Sequence, residues 1–176
     1  MSNGPANLSV LVKDDLVCIR IAGRASFQSS VDFKTLINSL WQKGHRRFVL
    51  NLVDCQLMDS TFLGVLAGLG LKFSQETNGD SPATIELLNP CSRVADLLEN
   101  LGIAHLFKVI EGPAPGPNGV EATSPSSGST DRKETTRTCL EAHKLLMELN
   151  PANVAKFKDV TRFLEEDLKK MESSKT

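Results

Sequence analysis

Two apolar runs flank a short acidic and hydroxyl-bearing junction in the middle of this chain. Residues 48–53 form a short run rich in Val and Leu, which predicts a buried strand, whereas the run over residues 62–73 is long enough for a helix. The junction Asp59-Ser60-Thr61 is typical of a helix start, because the Asp59 carboxylate can accept hydrogen bonds from the free amides of the first turn. We therefore predict a helix from about Ser60 to Gln75, with two hydroxyls at its positive end.

The residues alone leave two interpretations of Ser60 open. Hydroxyl residues beside an aspartate occur wherever helices begin, so capping alone explains the pattern. In the second interpretation Ser60 is a phosphorylation site, because a phosphate there would interact favourably with the helix dipole and the free amides. Such a phosphate would add about two negative charges beside Asp59 and near Asp54, and the surface could change without disruption of the fold.

The patterns before and after this junction alternate between strand and helix. Residues 8–12 and 16–21 flank a charged turn at 13–15, which predicts a β-hairpin. Helices are predicted from Ser29 or Ser30 to Gly44 and from Ser92 to Gly102, and later strands at residues 83–88 and 106–110. The order β-β-α-β-α-β-α-β predicts an α/β fold in which a mixed β-sheet is covered by helices. The glycines of the central helix are expected to permit close approach to the sheet.

Composition divides the chain into three parts. Residues 112–133 are rich in Pro, Gly and Ser and predict a flexible linker, because such a segment buries too little apolar surface to offset its chain entropy. It separates a folded domain at residues 1–111 from an extension at 134–176. Helical apolar spacing on both sides of Asn150-Pro151 predicts that the extension is a helical pair. The partner helix, the folded domain and another protein are the three candidates that could cover its apolar faces.

Several classes of function are disfavoured by the composition. The 176 residues include 20 basic and 21 acidic residues, so no basic surface for nucleic acid is expected. The four cysteines and three histidines lack ligand spacing, and we predict no metal and no cofactor. His143 is expected to be helical and exposed. No glycine-rich phosphate loop or acid–base pair is recognisable, which favours a protein that is not an enzyme.

The N-terminal residues and the apolar runs indicate where the protein acts. The first residues lack the cationic and apolar parts of a signal peptide. The longest apolar run, residues 62–73, is about half of the ~20 residues that a membrane-spanning helix needs. We therefore expect a cytoplasmic protein that makes no membrane contact.

Residues 57–66, with the sequence LMDSTFLGVL, resemble a family signature. The signature is Asp-Ser-Ser/Thr-Gly-Leu-Gly, which is found in bacterial anti-sigma factor antagonists of the STAS domain family, and the resemblance extends over about residues 8–111. It implies a partner-switching regulator that binds an anti-sigma factor and so releases a sigma factor. The implied partners are an anti-sigma factor that is also a serine kinase of the GHKL type, and a phosphatase. Phosphorylation of the serine that matches Ser60 would end binding.

The same resemblance implies roles for individual residues. Ser60 would be the phosphate acceptor, Asp59 the residue that presents it, and Thr61 a second candidate hydroxyl. Phe62 stands where the commonest signature has Gly, so a large apolar group would lie near the partner-facing surface, either as a docking anchor or as a restriction on the kinases accepted.

A second departure from the family follows the second predicted strand. Antagonists of this family often carry an acidic residue there, whereas this chain has Arg24, and we include Arg24 and Phe27 in the predicted partner-binding surface. The extension also lies outside the minimal domain. It motivates one alternative function, a scaffold subunit of a signalling assembly that uses the C-terminal helices for self-association or partner contact. A soluble STAS accessory protein of a transport system is another alternative.

Overall fold

The computed structural model describes residues 6–76, 83–114, 120–123 and 131–174. The strands are β1 (Asn7–Lys13), β2 (Leu16–Ala25), β3 (Arg47–Asn51), β4 (Cys55–Met58), β5 (Thr84–Leu88), β6 (Lys108–Ile110) and β7 (Val120–Thr123). The helices are α1 (Phe27–Gln42), α2 (Ser60–Gln75), α3 (Ser92–Asn100), α4 (Arg132–Leu149) and α5 (Ala152–Ser173), and a short 3₁₀ helix, Ala104–Leu106, precedes β6. The prediction of a mixed α/β fold with two C-terminal helices is confirmed.

The strands form a mixed sheet in the order β6-β5-β3-β2-β1-β7, and β4 pairs with the end of β2. Neighbouring strands from β6 to β2 are parallel, as is the β2–β4 pair, whereas β1 is antiparallel to both β2 and β7. Parallel neighbours require crossover connections, which α1, α2 and α3 supply. The sheet therefore places the β4–α2 junction beside the β2–α1 junction.

Local sequence accounts for the turns that shape this sheet. The β1–β2 hairpin closes over Asp14 and Asp15, and Asp14 adopts a φ of 54°, a left-handed conformation that Asp tolerates better than most residues. Gly44 and Gly102 have φ values of 101° and 73°, and each follows the end of a helix. These two glycines end α1 and α3 as predicted, because a left-handed residue after a helix suits glycine.

Three local features differ from the sequence prediction. Ser26, rather than Ser29 or Ser30, caps α1, and its hydroxyl accepts a hydrogen bond from the Gln28 amide at 3.3 Å. Strand β4 was not predicted, because its four residues follow β3 after a turn and merge with the junction in the sequence pattern. Strand β7 lies inside the predicted linker and pairs with β1, so those four residues belong to the sheet.

The main core lies between one face of the sheet and helices α1 and α2. Alternate residues of β2 point into it, so Val17, Ile19 and Ile21 are fully buried. Cys18, between them, faces the other side of the sheet. There it forms a second, smaller cluster with Val49 of β3 and Leu88 of β5. Aromatic contacts join α1 to α2, with ring centroids of Phe33 and Phe62 4.7 Å apart and those of Trp41 and Phe73 4.3 Å apart.

The glycines of α2 serve contacts other than the one predicted. A Cβ built on Gly64 would lie 2.6 Å from both the Cβ and the carbonyl oxygen of Ala142 in α4, and one on Gly68 would lie 3.2 Å from Leu145. A Cβ on Gly70 would lie 3.0 Å from the Phe107 ring, just before β6. Gly64 and Gly68 thus permit close approach of another helix rather than of the sheet. No helix in the described part of the chain is long and apolar enough to cross a membrane.

Candidate functional site

Asp59 joins the starts of two helices at the predicted site. Its Oδ1 accepts a hydrogen bond from the Phe62 amide at 2.8 Å, which caps α2 as predicted. Its Oδ2 accepts from the Phe27 amide at 2.7 Å, at the first residue of α1, and its own amide donates to the Ala25 carbonyl at 2.9 Å. One carboxylate therefore satisfies free amides of both α1 and α2, where a negative charge also complements both helix dipoles.

Ser60 is the first residue of α2, and its hydroxyl contacts a histidine from the C-terminal extension. Ser60 Oγ lies 2.8 Å from His143 Nε2, and His143 Nδ1 lies 2.6 Å from the Cys139 carbonyl oxygen. Because a carbonyl only accepts, the imidazole donates from Nδ1, and in the neutral ring Nε2 accepts the proton of the Ser60 hydroxyl. Ser60 is partly exposed, whereas His143 is buried, so the prediction of an exposed His143 was wrong.

Thr61, the second candidate hydroxyl, is buried against α4. Its side chain is 5% exposed and hydrogen bonds to the thiol of Cys139. Burial raises the pKa of that thiol, and the Thr61 hydrogen bond acts in the opposite direction. In this conformation Thr61 is buried and Ser60 is partly exposed, so Ser60 is the more accessible of the two residues.

Phe62 is a core residue and not a surface anchor. Its side chain is fully buried, and its ring packs against Phe33 of α1. Phe62 is the third residue of α2 and faces the interior, whereas Ser60, the first residue, is partly exposed. The expectation that the Phe62 side chain contacts a partner therefore does not fit the structure.

Arg24 and Phe27 are exposed residues at the β2–α1 junction, where Asp59 accepts a hydrogen bond from the Phe27 amide. Arg24 follows a bulge at Gly23, where the β2–β4 register shifts, and its side chain is exposed. Phe27 is 45% exposed although its backbone amide is held by Asp59. The structure thus brings Arg24 and Phe27 together with Asp59 and Ser60. Of the predicted surface residues, Phe62 and Thr61 are the ones whose side chains are buried.

Residues 7–113, which include Asp59 and Ser60, are similar to known proteins. The family model of the STAS domain matches residues 7–113. The chain belongs to the STAS domain family. One solved structure that it resembles is the anti-sigma factor antagonist SpoIIAA in its unphosphorylated form, at 18% identity over 58% of this chain and 87% of that chain, with a TM-score of 0.50. Another is a putative anti-sigma factor antagonist from Thermotoga maritima, at 20% identity over 59% of this chain and 85% of that chain, with a TM-score of 0.52. At these identities the likeness concerns the fold.

Helices α4 and α5 lie outside the matched STAS domain and pack on it. Ala142 meets Gly64 as described, and Ala142 and Leu146 belong to the same buried cluster as the core of the domain. Lys34 Nζ of α1 lies 3.6 Å from Glu141 Oε2 of α4 and forms an ion pair with it. The contact leaves a cleft of about 270 Å³ between α1, α2 and α4, lined in part by Gly68 and Leu145. The extension therefore covers the STAS domain next to Ser60.

The connection between α4 and α5 is also attached to the STAS domain. Asn153 is completely buried, and its Nδ2 donates to the Leu101 carbonyl at 3.0 Å and to the Leu146 carbonyl at 2.8 Å. The Asn150 side chain packs against Gly102, where a built Cβ would lie 2.7 Å from the Asn150 Nδ2. The short loop after α4 is thus tied to the end of α3.

His143 is the site residue that the sequence prediction missed. Cys139 precedes it by one helical turn and Leu146 follows it by three residues, which places all three on one face of α4. That apolar face was recognisable in the sequence, and a histidine on it was a candidate for burial. The contact with Ser60 was not recognisable, because 83 positions separate the two residues. In the described part of the chain, no group of three histidine, cysteine or acidic side chains could hold a metal ion.

Proposed function

We propose that this STAS protein is a partner-switching regulator of the anti-sigma factor antagonist type. Unmodified, it binds an anti-sigma factor that is also a serine kinase, and so releases a sigma factor. Phosphorylation of Ser60 ends that binding, and a phosphatase restores it. The observation that carries the proposal is the position of Ser60, a partly exposed residue at the Asp59-capped start of α2, in a domain of this family.

The position of Ser60 suits a phosphate. The first amides of a helix have no partner within the helix, and the helix dipole places positive potential at that end. Asp59 already uses the Phe62 amide, so the earlier amides of the turn remain for phosphate oxygens. A phosphate at the start of α2 is therefore compatible with the folded domain.

The same phosphate changes the charge of the proposed partner surface. It adds about two negative charges beside the Asp59 carboxylate. Asp54 is the next acidic group along the chain, and its carboxylate is paired with Arg20 at an Nε–Oδ2 distance of 2.9 Å. The added charge therefore changes the surface that a partner meets, and a partner that presents an acidic group or an apolar surface to Ser60 would be repelled or would have to desolvate it.

The chemistry of the switch belongs to the kinase. The Ser60 Oγ attacks the γ-phosphorus of ATP, its proton passes to a base of the kinase, and the bond to ADP breaks. Asp59 caps the helix that begins at Ser60, and this chain supplies the nucleophile only. In this proposal the protein is a kinase substrate and a binding module.

Phosphorylation by the serine kinases of the same cell tests the proposal. Each purified kinase is incubated with the full chain and ATP, and the modified residue is located by mass spectrometry. We expect one phosphate at Ser60 with the wild type and none with Ser60→Ala. Ser74→Ala is the matched control, because Ser74 is an exposed serine at the other end of α2, and this variant should be modified like the wild type. If no kinase modifies Ser60, the proposal is wrong.

A binding experiment tests the switch itself. Ser60→Ala and Ser60→Asp serve as baits for the purified anti-sigma factor kinase. We expect Ser60→Ala to retain the kinase and Ser60→Asp to lose it, because the aspartate introduces a negative charge at the phosphate position. Equal binding by both variants would contradict a charge-controlled switch.

A further inference from the structure

The C-terminal helices hold the hydroxyl that the proposed switch uses. In the neutral tautomer that donates from Nδ1 to the Cys139 carbonyl, His143 Nε2 accepts a hydrogen bond from the Ser60 hydroxyl, and 2.8 Å separates Ser60 Oγ from Nε2. Because the hydroxyl donates in this contact, the lone pairs of the Ser60 oxygen stay free, but nucleophilic attack also needs a path for the incoming phosphoryl group in line with one of them. With His143 in place, a buried imidazole occupies one approach to the Ser60 oxygen.

The contact that places His143 is closely packed. Ala142 precedes His143 and touches Gly64, one turn after Ser60, at a distance that leaves no room for a methyl group on Gly64. Phe157 of α5 packs edge-on against the His143 ring, with centroids 5.0 Å apart. The imidazole is therefore supported from α2, from α4 and from α5, and it reaches Ser60 only when the helical pair is docked.

Polar contacts attach the helical pair to the domain, in addition to the apolar contacts of Ala142 and Leu146. The buried Asn153 amide and the Lys34–Glu141 ion pair bind it to α3 and α1. Further ion pairs join α4 to α5 themselves, including Lys144 Nζ to Glu165 Oε1 at 2.7 Å. Because these ion pairs do not involve the STAS domain, α4 and α5 can stay packed on each other when they leave the domain.

We propose that α4 and α5 form an intramolecular gate over Ser60. In the closed state the His143 imidazole holds the Ser60 hydroxyl, and the helical pair covers the adjoining face of α2. In the open state the pair leaves that face, and Ser60 becomes accessible to the kinase. This inference rests on the proposed function for its biological meaning, but access to residue 60 is measurable without any kinase.

The gate has a simple thermodynamic consequence. A partner that needs the open state binds with an apparent affinity reduced by the fraction of molecules that are open. Anything that weakens docking of α4 on α2 should therefore raise the rate of Ser60 modification and strengthen partner capture together. A substitution on the exposed side of the helical pair, away from the STAS domain, should do neither.

The test compares the same substitution at two positions of the helical pair. Ala142→Arg places a long cation against Gly64, and Ala155→Arg places it on the exposed side of α5. Both are made in full-length protein that also carries Ser60→Cys, and alkylation of residue 60 by N-ethylmaleimide is followed by peptide mass spectrometry. We expect alkylation to be at least about tenfold faster with Ala142→Arg, as the closed fraction falls. Equal rates would overturn the gate.

Gly64→Ala provides a second variant from the other side of the contact. The added methyl would lie 2.6 Å from Ala142, whereas alanine is itself a better helix former than glycine. The variant should therefore fold and still open the gate, and it decides the question if Ala142→Arg does not fold. Alkylation no faster than in the Ser60→Cys parent would again contradict the inference.

A kinase arm separates the inference from the proposed function. With native Ser60, phosphorylation should be faster in Ala142→Arg than in Ala155→Arg. If alkylation differs between the variants but no kinase modifies Ser60 in either, the gate stands and the proposed function fails. If both variants are alkylated and phosphorylated at the same rates, the function stands and the gate fails.

Discussion

Asp59 is the residue on which the local geometry of the site depends most. Its two carboxylate oxygens accept from the amides of Phe62 and Phe27, which begin two different helices. Sequence pattern predicted the first of these bonds, because a cap lies three residues from its donor. The second joins positions 32 residues apart and required the β2–β4 pairing to bring them together.

Replacing Asp59 by alanine should destabilise the domain by about 2 kcal/mol, the upper end of the range for loss of a helix cap, because two helix starts lose their acceptor. Asp54→Ala is the control, since Asp54 forms an exposed ion pair with Arg20 and such pairs contribute about 1 kcal/mol or less. Urea denaturation of both variants measures the free energies of unfolding. A loss with Asp59→Ala no larger than with Asp54→Ala would show that the second cap has no energetic role.

Among the helices and strands, the sequence predicted best those features that depend on residues close together in the chain. The bounds of α2 follow from the Asp59 cap and the apolar run, and the hairpin follows from its charged turn. The docking of α4 on α2 could not be predicted, because an apolar helix face does not specify its partner. For the same reason, the sequence predicted that Gly64 permits close approach to the sheet, whereas it contacts Ala142 of α4.

The α1–α2 contact provides a prediction at this scale. Phe62→Ala should cost about 3–5 kcal/mol, since it removes a fully buried ring that packs on Phe33. Phe27→Ala should cost about 1 kcal/mol or less, because that ring is 45% exposed. Urea denaturation measures both, and kinase binding should be reduced by Phe27→Ala if Phe27 belongs to the partner surface. Comparable stability losses would contradict the assignment of Phe62 to the core.

In the described part of the molecule, one main core extends from the sheet to the C-terminal helices. Ala142 and Leu146 of α4 lie in the same buried cluster as the sheet residues, and Phe157 of α5 packs against it. The family domain ends at residue 113, so this core crosses the boundary of the family match. The domain, the linker and the extension follow one another along the chain. In the folded protein, however, the extension shares the core of the domain.

A shared core predicts that the STAS domain and the helical pair unfold together. Trp41 is the single tryptophan of the chain and stacks on Phe73 within the domain, so its fluorescence reports the domain. Far-ultraviolet circular dichroism also reports α4 and α5. In urea the two signals should change in one coincident transition for the wild type. With Ala142→Arg the dichroism should begin to change at lower urea than the fluorescence, because the helices lose their cover before the domain unfolds. Separate transitions already in the wild type would mean that the pair is not part of the cooperative core.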